Sequence, residues 1–235
     1  MCLILLAWRS HAAYPLVVAA NRDEFYGRPA SPAGFWSDRP AVLAGRDLMA
    51  GGTWMGVERG GRFAAVTNYR GAHEPSAAHS RGALVTGFLL GSQAPAAYID
   101  AVSGQSNSYS GFNLLVADAR ELWWMSNRGG TPRRLEPGLY GLGNELLDAP
   151  GLEPAKKRFA EALEPLPALE PLFSALAPAR IAGEQYGTRC STVLLLGADR
   201  RIRYAERSFA RAGSEEDTSQ FEFQAAGGGA PAIVA

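Results

Sequence analysis

The apolar run Leu3-Ile4-Leu5-Leu6-Ala7-Trp8 sits almost at the start of the chain and is closed at once by Arg9. It has no basic start and no small-residue cleavage site, so it reads as a buried strand and not as a signal peptide. Residues 14–21, with Val17 and Val18 at their centre, form a second apolar run. Only Ser10-His11-Ala12-Ala13 separates the two, which predicts a hairpin between strands 2–9 and 14–21. A buried hairpin at the outset commits the chain to a packed domain built on a sheet.

The hairpin constrains chemistry as well as fold. Counting from the turn, paired positions sum to about 23–25, which brings Cys2 opposite Asn21-Arg22-Asp23. Strand alternation puts Asn21 and Asp23 on one face and Arg22 on the other. Cys2 is small enough for Met1 to be removed, which would leave one residue carrying a thiol and a free α-amine. Their reference pKa values are about 8.5 and roughly 7.7–8.0, so the amine can act as base for the thiol near neutral pH. Position alone favours Cys2 as a small apolar strand residue. A carboxylate beside the amine and thiol shifts the reading toward a nucleophile, because it can hold an ammonium or orient the amine.

Further along, residues 27–40 carry Gly27, Pro29, Pro32, Gly34 and Pro40 and read as a loop. Strands are expected at 41–45, 53–58, 62–68, 112–117, 121–126, 139–143, 190–196 and 201–207. Helices are expected at 80–90, with Ala83, Leu84, Gly87 and Phe88 on one stripe, and at 94–102, 153–164 and 168–177. Strands and helix pairs in this order suit an α+β layered fold with helices covering a largely antiparallel sheet system. Residues 1–224 read as a single domain, and the Ala- and Gly-rich residues 225–235 as a disordered tail.

Composition excludes several functions. Lys plus Arg is 23 and Asp plus Glu is 23, so no basic excess marks a nucleic-acid binder. No apolar run is long enough to span a bilayer. With no targeting segment in view, a cytoplasmic location is expected, where thiols stay reduced. Two cysteines, Cys2 and Cys190, allow neither a disulfide framework nor a four-cysteine zinc site. His11, His73 and His79 have no paired spacing, so no metal is expected. Phosphate-loop, Gly-x-Ser-x-Gly and dinucleotide fingerprints are missing from the sequence.

Several stretches together carry a resemblance. They are Met1-Cys2, Ala20-Asn21-Arg22-Asp23-Glu24-Phe25, Arg28-Pro29, Ala44-Gly45-Arg46-Asp47, Gly51-Gly52-Thr53-Trp54-Met55-Gly56, Thr67-Asn68-Tyr69-Arg70, Ser80-Arg81-Gly82, Tyr140-Gly141-Leu142-Gly143-Asn144 and Gly187-Thr188-Arg189-Cys190-Ser191-Thr192-Val193. In this order they resemble the NRDE family, also called the transport and Golgi organisation protein family, over roughly residues 1–223. That family is similar in turn to the N-terminal nucleophile (Ntn) hydrolases of the choloylglycine hydrolase and penicillin V acylase group. The resemblance implies a four-layer αββα sandwich with two mainly antiparallel sheets.

It also implies a catalytic set. Cys2 matches the nucleophile, Asp23 the carboxylate contacting the α-amine, and Asn68 the side-chain donor of an oxyanion hole. Asn144 matches a second Asn near the nucleophile, and Arg189 the cation near the thiolate. Those hydrolases carry an Arg two residues before the Asn that aligns with Asn21 or close to it, where this chain has Ala19-Ala20 and places Arg22 after the Asn. Asn21, Arg22 and Trp54 are read as substrate-binding. Taken singly, Asn68 and Asn144 suit turn capping and Arg189 a salt bridge at a strand start. Their clustering at predicted strand ends with Cys2 favours a site.

The expected activity is an Ntn-type cysteine amidohydrolase cleaving a small-molecule amide through an acyl-enzyme, with no cofactor required. The alternative is a non-catalytic protein on the same scaffold carrying heme or another hydrophobic ligand, since some members of the family are implicated in heme handling and secretory organisation. A degenerate scaffold acting through a partner surface is the third expectation. The sequence sets no oligomeric state.

Overall fold

The structure is a computed structural model and describes residues 2–71 and 78–226. The opening hairpin forms as the sequence predicts. Strand β1 (Leu3–Trp8) pairs antiparallel with β2 (Leu16–Phe25) in a register that sets Leu3 opposite Asn21 and Trp8 opposite Leu16.

These strands are apolar throughout because both of their faces are covered. Ile4, Leu6, Trp8, Leu16, Val18 and Ala20 point into a central core, whereas Leu3, Leu5, Ala7, Val17 and Ala19 point into an outer one. The alternation follows from the period-2 geometry of a strand.

The next strands are β3 (Ala30–Trp36), β4 (Arg39–Asp47), β5 (Met55–Glu58) and β6 (Phe63–Asn68). The segment 27–40, expected as a loop, therefore holds a strand. Register irregularities between Ser31 and Gly34, and between Phe35 and Trp36, let β3 accommodate Pro32 at a sheet edge. Helices α1 (Gly82–Leu90) and α2 (Pro95–Gly104) follow, then β7 (Phe112–Ala117), β8 (Leu122–Ser126), β9 (Arg133–Arg134) and β10 (Gly138–Leu142). The chain continues with α3 (Glu153–Ala162), α4 (Glu170–Leu176), β11 (Tyr186–Leu196), β12 (Arg201–Phe209) and β13 (Glu215–Gln224).

Two antiparallel sheets result. One has the order β10-β1-β2-β11-β12-β13 and the other β3-β4-β5-β6-β7-β8-β9. The central core between them joins Ile4, Leu6 and Val18 to Met55, Phe63, Leu115 and Trp124. Helices α3 and α4 cover the first sheet through Phe159, Leu172 and Leu176. Helices α1 and α2 cover the second through Leu84, Val85, Phe88, Ile99 and Val102. The layers are thus αββα.

The buried stripe of α1 is Leu84, Val85, Phe88 and Leu89. Leu84 and Phe88 were expected on it, but Ala83 and Gly87 are exposed. The larger side chains take the core and rotate the helix by one position. None of the described helices is long and apolar enough to cross a membrane. His73 and residues 227–235 of the expected tail lie outside the described residues.

Candidate active site

A cleft of about 540 Å³ opens between the two sheets at the end where β1 begins, and it is lined by Cys2, Arg22, Asp23, Trp54, Asn68 and Arg189 among others. Extending the β1–β2 register by one residue brings Cys2 beside Arg22. Alternation keeps both on the inter-sheet face shared by Ile4 and Ala20. Arg22 is paired with Cys190 on β11. Its guanidinium sits 3.7 Å from Glu24 and is largely buried.

The Cys2 thiol is half-buried and donates to the Asp23 carbonyl at 3.7 Å. Burial pushes its pKa up and the Asp23 charge adds to this, while the Arg22 charge pulls it down. The Cys190 thiol is driven well above its ordinary value by burial and by Glu206.

Asp23 shares the face of Asn21 but lies beyond the last residue of β2 that pairs with β1. It pairs with Thr188 on β11, whose hydroxyl donates to Asp23 Oδ1 at 2.7 Å. That hydroxyl oxygen in turn accepts the Ile181 amide at 2.8 Å. The Tyr186 hydroxyl donates to the Asp23 carbonyl at 3.3 Å, and burial pushes its pKa up to about 12, with Cys2 and Asp23 adding to the shift. Neither Tyr186 nor the Thr188 hydroxyl stands out from the sequence alone, although Thr188 lies inside a motif segment. The β2–β11 register is what brings them to Asp23.

Asn68 ends β6 on the opposite wall, and its carboxamide has no hydrogen-bond partner among the described residues. Asn144 does not reach the cleft. It stands behind Asn68, donating Nδ2 to the Asn68 carbonyl at 2.7 Å and accepting the Arg70 amide at 2.6 Å. It therefore ties the segment after β10 in one sheet to the end of β6 in the other.

Arg189 borders the cleft, but its Nη1 is spent on the carbonyls of Phe25, Tyr26 and Arg28 at 3.1–3.4 Å. It braces the turn after β2. Among the charges acting on Cys2, Arg22 is the guanidinium.

Asn21 is turned away from the cleft, as alternation requires. It is fully buried under α4, donating to the Leu176 carbonyl at 3.1 Å and accepting from Ser191 at 2.6 Å. Trp54 lies on the cleft wall at the junction of two cores.

Two glycines explain the neighbouring wall. A Cβ on Gly52 would come within 2.8 Å of the Gly82 carbonyl carbon, and one on Gly82 within 3.1 Å of the Thr53 carbonyl oxygen. Only bare backbone lets the start of α1, with Ser80, Arg81 and Gly82, pack against the Gly-Gly-Thr-Trp turn and line the cleft. Nearby, Arg28 holds Asp47 through two bonds of 2.6 and 3.0 Å, joining the β2–β3 and β4–β5 turns. No group of His, Cys, Asp and Glu among the described residues could hold a metal ion.

The model of the family described as Transport and Golgi organisation 2 matches residues 1–178. The Transport and Golgi organization protein 2 homolog of Bos taurus is 36% identical over 256 aligned positions, covering 88% of this chain and 93% of the relative. The Homo sapiens homolog is 34% identical, covering 94% of this chain and 96% of the relative. Among solved structures, a mutant conjugated bile acid hydrolase from Clostridium perfringens superposes with a TM-score of 0.56 at 11% identity, covering 94% of this chain and 92% of its own. The Caenorhabditis elegans ortholog of N-acylethanolamine-hydrolyzing acid amidase gives 0.52 at 13% identity, covering 83% and 92%. These neighbours establish an Ntn-hydrolase fold.

Proposed function

The chain belongs to the Transport and Golgi organisation 2 family, and we propose that it is an N-terminal-cysteine amidohydrolase cleaving a non-peptide C–N bond of a small amide. The observation that carries this reading is the convergence of Cys2, Arg22, Asp23 and Asn68 on one cleft of an Ntn-type fold. Each supplies a separate requirement of acyl transfer.

In this reading Met1 is removed, and the new α-amine of Cys2 lies beside Asp23. The amine takes the thiol proton as sulfur attacks the amide carbonyl. The Asn68 carboxamide donates to the developing oxyanion. Collapse of the tetrahedral intermediate breaks the C–N bond, and the ammonium on Cys2 gives its proton to the leaving amine. Water, deprotonated by the same amine, then releases the acid from the thioester.

Asp23, oriented by Thr188, steadies the ammonium in each half-reaction. Arg22 favours the thiolate, working against the burial that holds the thiol neutral before substrate binds. Asn144 and Arg189 act as positioning residues, for Asn68 and for the turn after β2.

A heme or hydrophobic-ligand carrier would favour an apolar slot. The cleft wall mixes Trp54, Val66 and Phe209 with Arg22, Arg28 and Asp47, and the amide reading is preferred because a carrier does not need Cys2, Asp23 and Asn68 together. A panel of small N-acyl amides tests it. Cys2→Ala is expected to abolish turnover while the fold survives, and turnover retained in Cys2→Ala would refute it.

A further inference from the structure

The cleft continues well beyond Cys2. Ladder pairing aligns Arg22 with Cys190, Cys190 with Ser208, and Ser208 with Asp217. With Cys2 these side chains form one row across five strands, and all five line the cleft. At a strand spacing of about 4.8 Å, Ser208 lies about 14 Å and Asp217 about 19 Å from Cys2.

The two ends of the row differ in charge. Cys2 has the Arg22 guanidinium beside it, whereas the far end of the row presents Ser208, Asp217 and the carboxylate of Glu206; Arg46, also on the cleft wall, is engaged by Asp38. Glu206 sits two residues before Ser208 on the same face and is only 3% exposed. Its oxygens accept the Ala33 amide at 2.7 Å and the Thr192 hydroxyl at 3.0 Å. Neither Glu206 nor Asp217 has an ion-pair partner among the described residues. Burial pushes the Glu206 pKa up; the Ala33 amide, the Thr192 hydroxyl, the Cys190 thiol and the more distant Arg22 charge oppose this only in part.

We propose that Glu206, with Asp217 and Ser208, forms a subsite selecting amides that carry an ammonium or similar cationic group remote from the scissile bond. Arg22 acts on Glu206 only at a distance, and the ligand's cation supplies the contact ion pair that Glu206 lacks. Its cation then lies across β11 and β12, while its carbonyl lies between Cys2 and Asn68. This substrate class rests on the amidohydrolase reading, although the binding site itself does not require turnover.

The test uses mono-acetylated octanediamine and, as its uncharged analogue, mono-acetylated nonylamine. The wild-type protein is expected to prefer the cationic amide in kcat/KM on the order of tenfold, because the uncharged analogue leaves the buried acceptor uncompensated. Glu206→Gln should bring the ratio close to one. Asp217→Asn, at an exposed position, should lower it by a smaller factor and serves if Glu206→Gln does not fold.

Calorimetry on the Cys2→Ala protein measures binding without turnover, and tighter binding of the cationic amide is expected there too. Turnover of both amides without preference, or a preference unchanged in the variants, overturns the subsite and leaves the hydrolase standing. Selective binding of the cation with neither amide hydrolysed overturns the hydrolase and leaves the subsite standing.

Discussion

The Thr188 hydroxyl donates to Asp23 Oδ1 across 2.7 Å while its oxygen accepts the Ile181 amide at 2.8 Å. Asp23 is only 5% exposed, so this relay fixes the carboxylate at the end of β2 where its strand no longer pairs with β1. Thr188→Val keeps the shape and removes the hydroxyl. It is expected to destabilise the fold by about 1–3 kcal/mol, the cost of orphaning a buried amide and a carboxylate lone pair. Amide turnover should fall by roughly 10- to 100-fold through kcat, with Thr188→Ser restoring most of it. Equal kcat in the Val variant would separate Thr188 from the chemistry.

Arg22 and Arg189 can be told apart by thiol reactivity. A cation beside a thiol favours its thiolate, and among these two only Arg22 contributes to Cys2. Arg22→Gln should slow alkylation of Cys2 at neutral pH and move the pH midpoint of labelling upward. Arg189→Gln should leave that midpoint in place and instead raise protease sensitivity at residues 25–28, whose carbonyls it binds. Cys190, the more buried of the two and with its thiol driven well above its ordinary value, should label far more slowly than Cys2 in both variants.

Two carboxylates should give stability opposite dependences on pH. Burial opposes ionisation of Asp47, but the Arg28 guanidinium and the Ala50 and Met49 amides outweigh it and hold the carboxyl below its ordinary range. Its contribution is therefore present above the unfolded pKa, about 3.9, and is lost as pH falls through the lower folded value. Burial holds Glu206 above its ordinary range, so the folded state binds the extra proton. Stability then declines as pH rises from the unfolded pKa, about 4.3, through the folded one. Denaturant melts from acid to neutral pH should show Asp47→Asn losing the first dependence and Glu206→Gln losing the second.

Gly52→Ala should damage both fold and site. The added methyl meets the Gly82 backbone at 2.8 and 2.9 Å, so the start of α1 must move. A loss on the order of 1–3 kcal/mol is expected, with reduced turnover because Ser80, Arg81 and Gly82 line the cleft. Thermal melts and a kinetic assay on one preparation measure both effects.

The part of the site legible in the sequence is the part set by local register. The four-residue hairpin link brings Cys2 opposite Asn21-Arg22-Asp23, but the register puts Cys2 on the Arg22 face and not on the face of Asn21 and Asp23 that the sequence favours. Strand β3 was hidden because Pro32 and Gly34 break the apolar alternation, and a sheet edge tolerates both. Strand β13 was hidden because Glu215, Asp217, Thr218 and Ser219 look like solvated chain, and pairing with β12 orders them. Glu206 lies in Arg203-Tyr204-Ala205-Glu206-Arg207, which reads as an ordinary charged strand. Only the stacking of the two sheets brings the Ala33 amide onto it. Asn21 and Asn144 were legible as polar residues of the right type, but their side chains serve α4 and β6.

The most direct measurement is a peptide map of the protein quenched in acid during turnover of a small N-acyl amide. The predicted result is an N-terminal peptide that lacks Met1 and carries the acyl group on Cys2, with Cys190 unmodified. Turnover by protein that retains Met1, or an acyl group on any other residue, would contradict the assignment of Cys2 as nucleophile with its own amine as base.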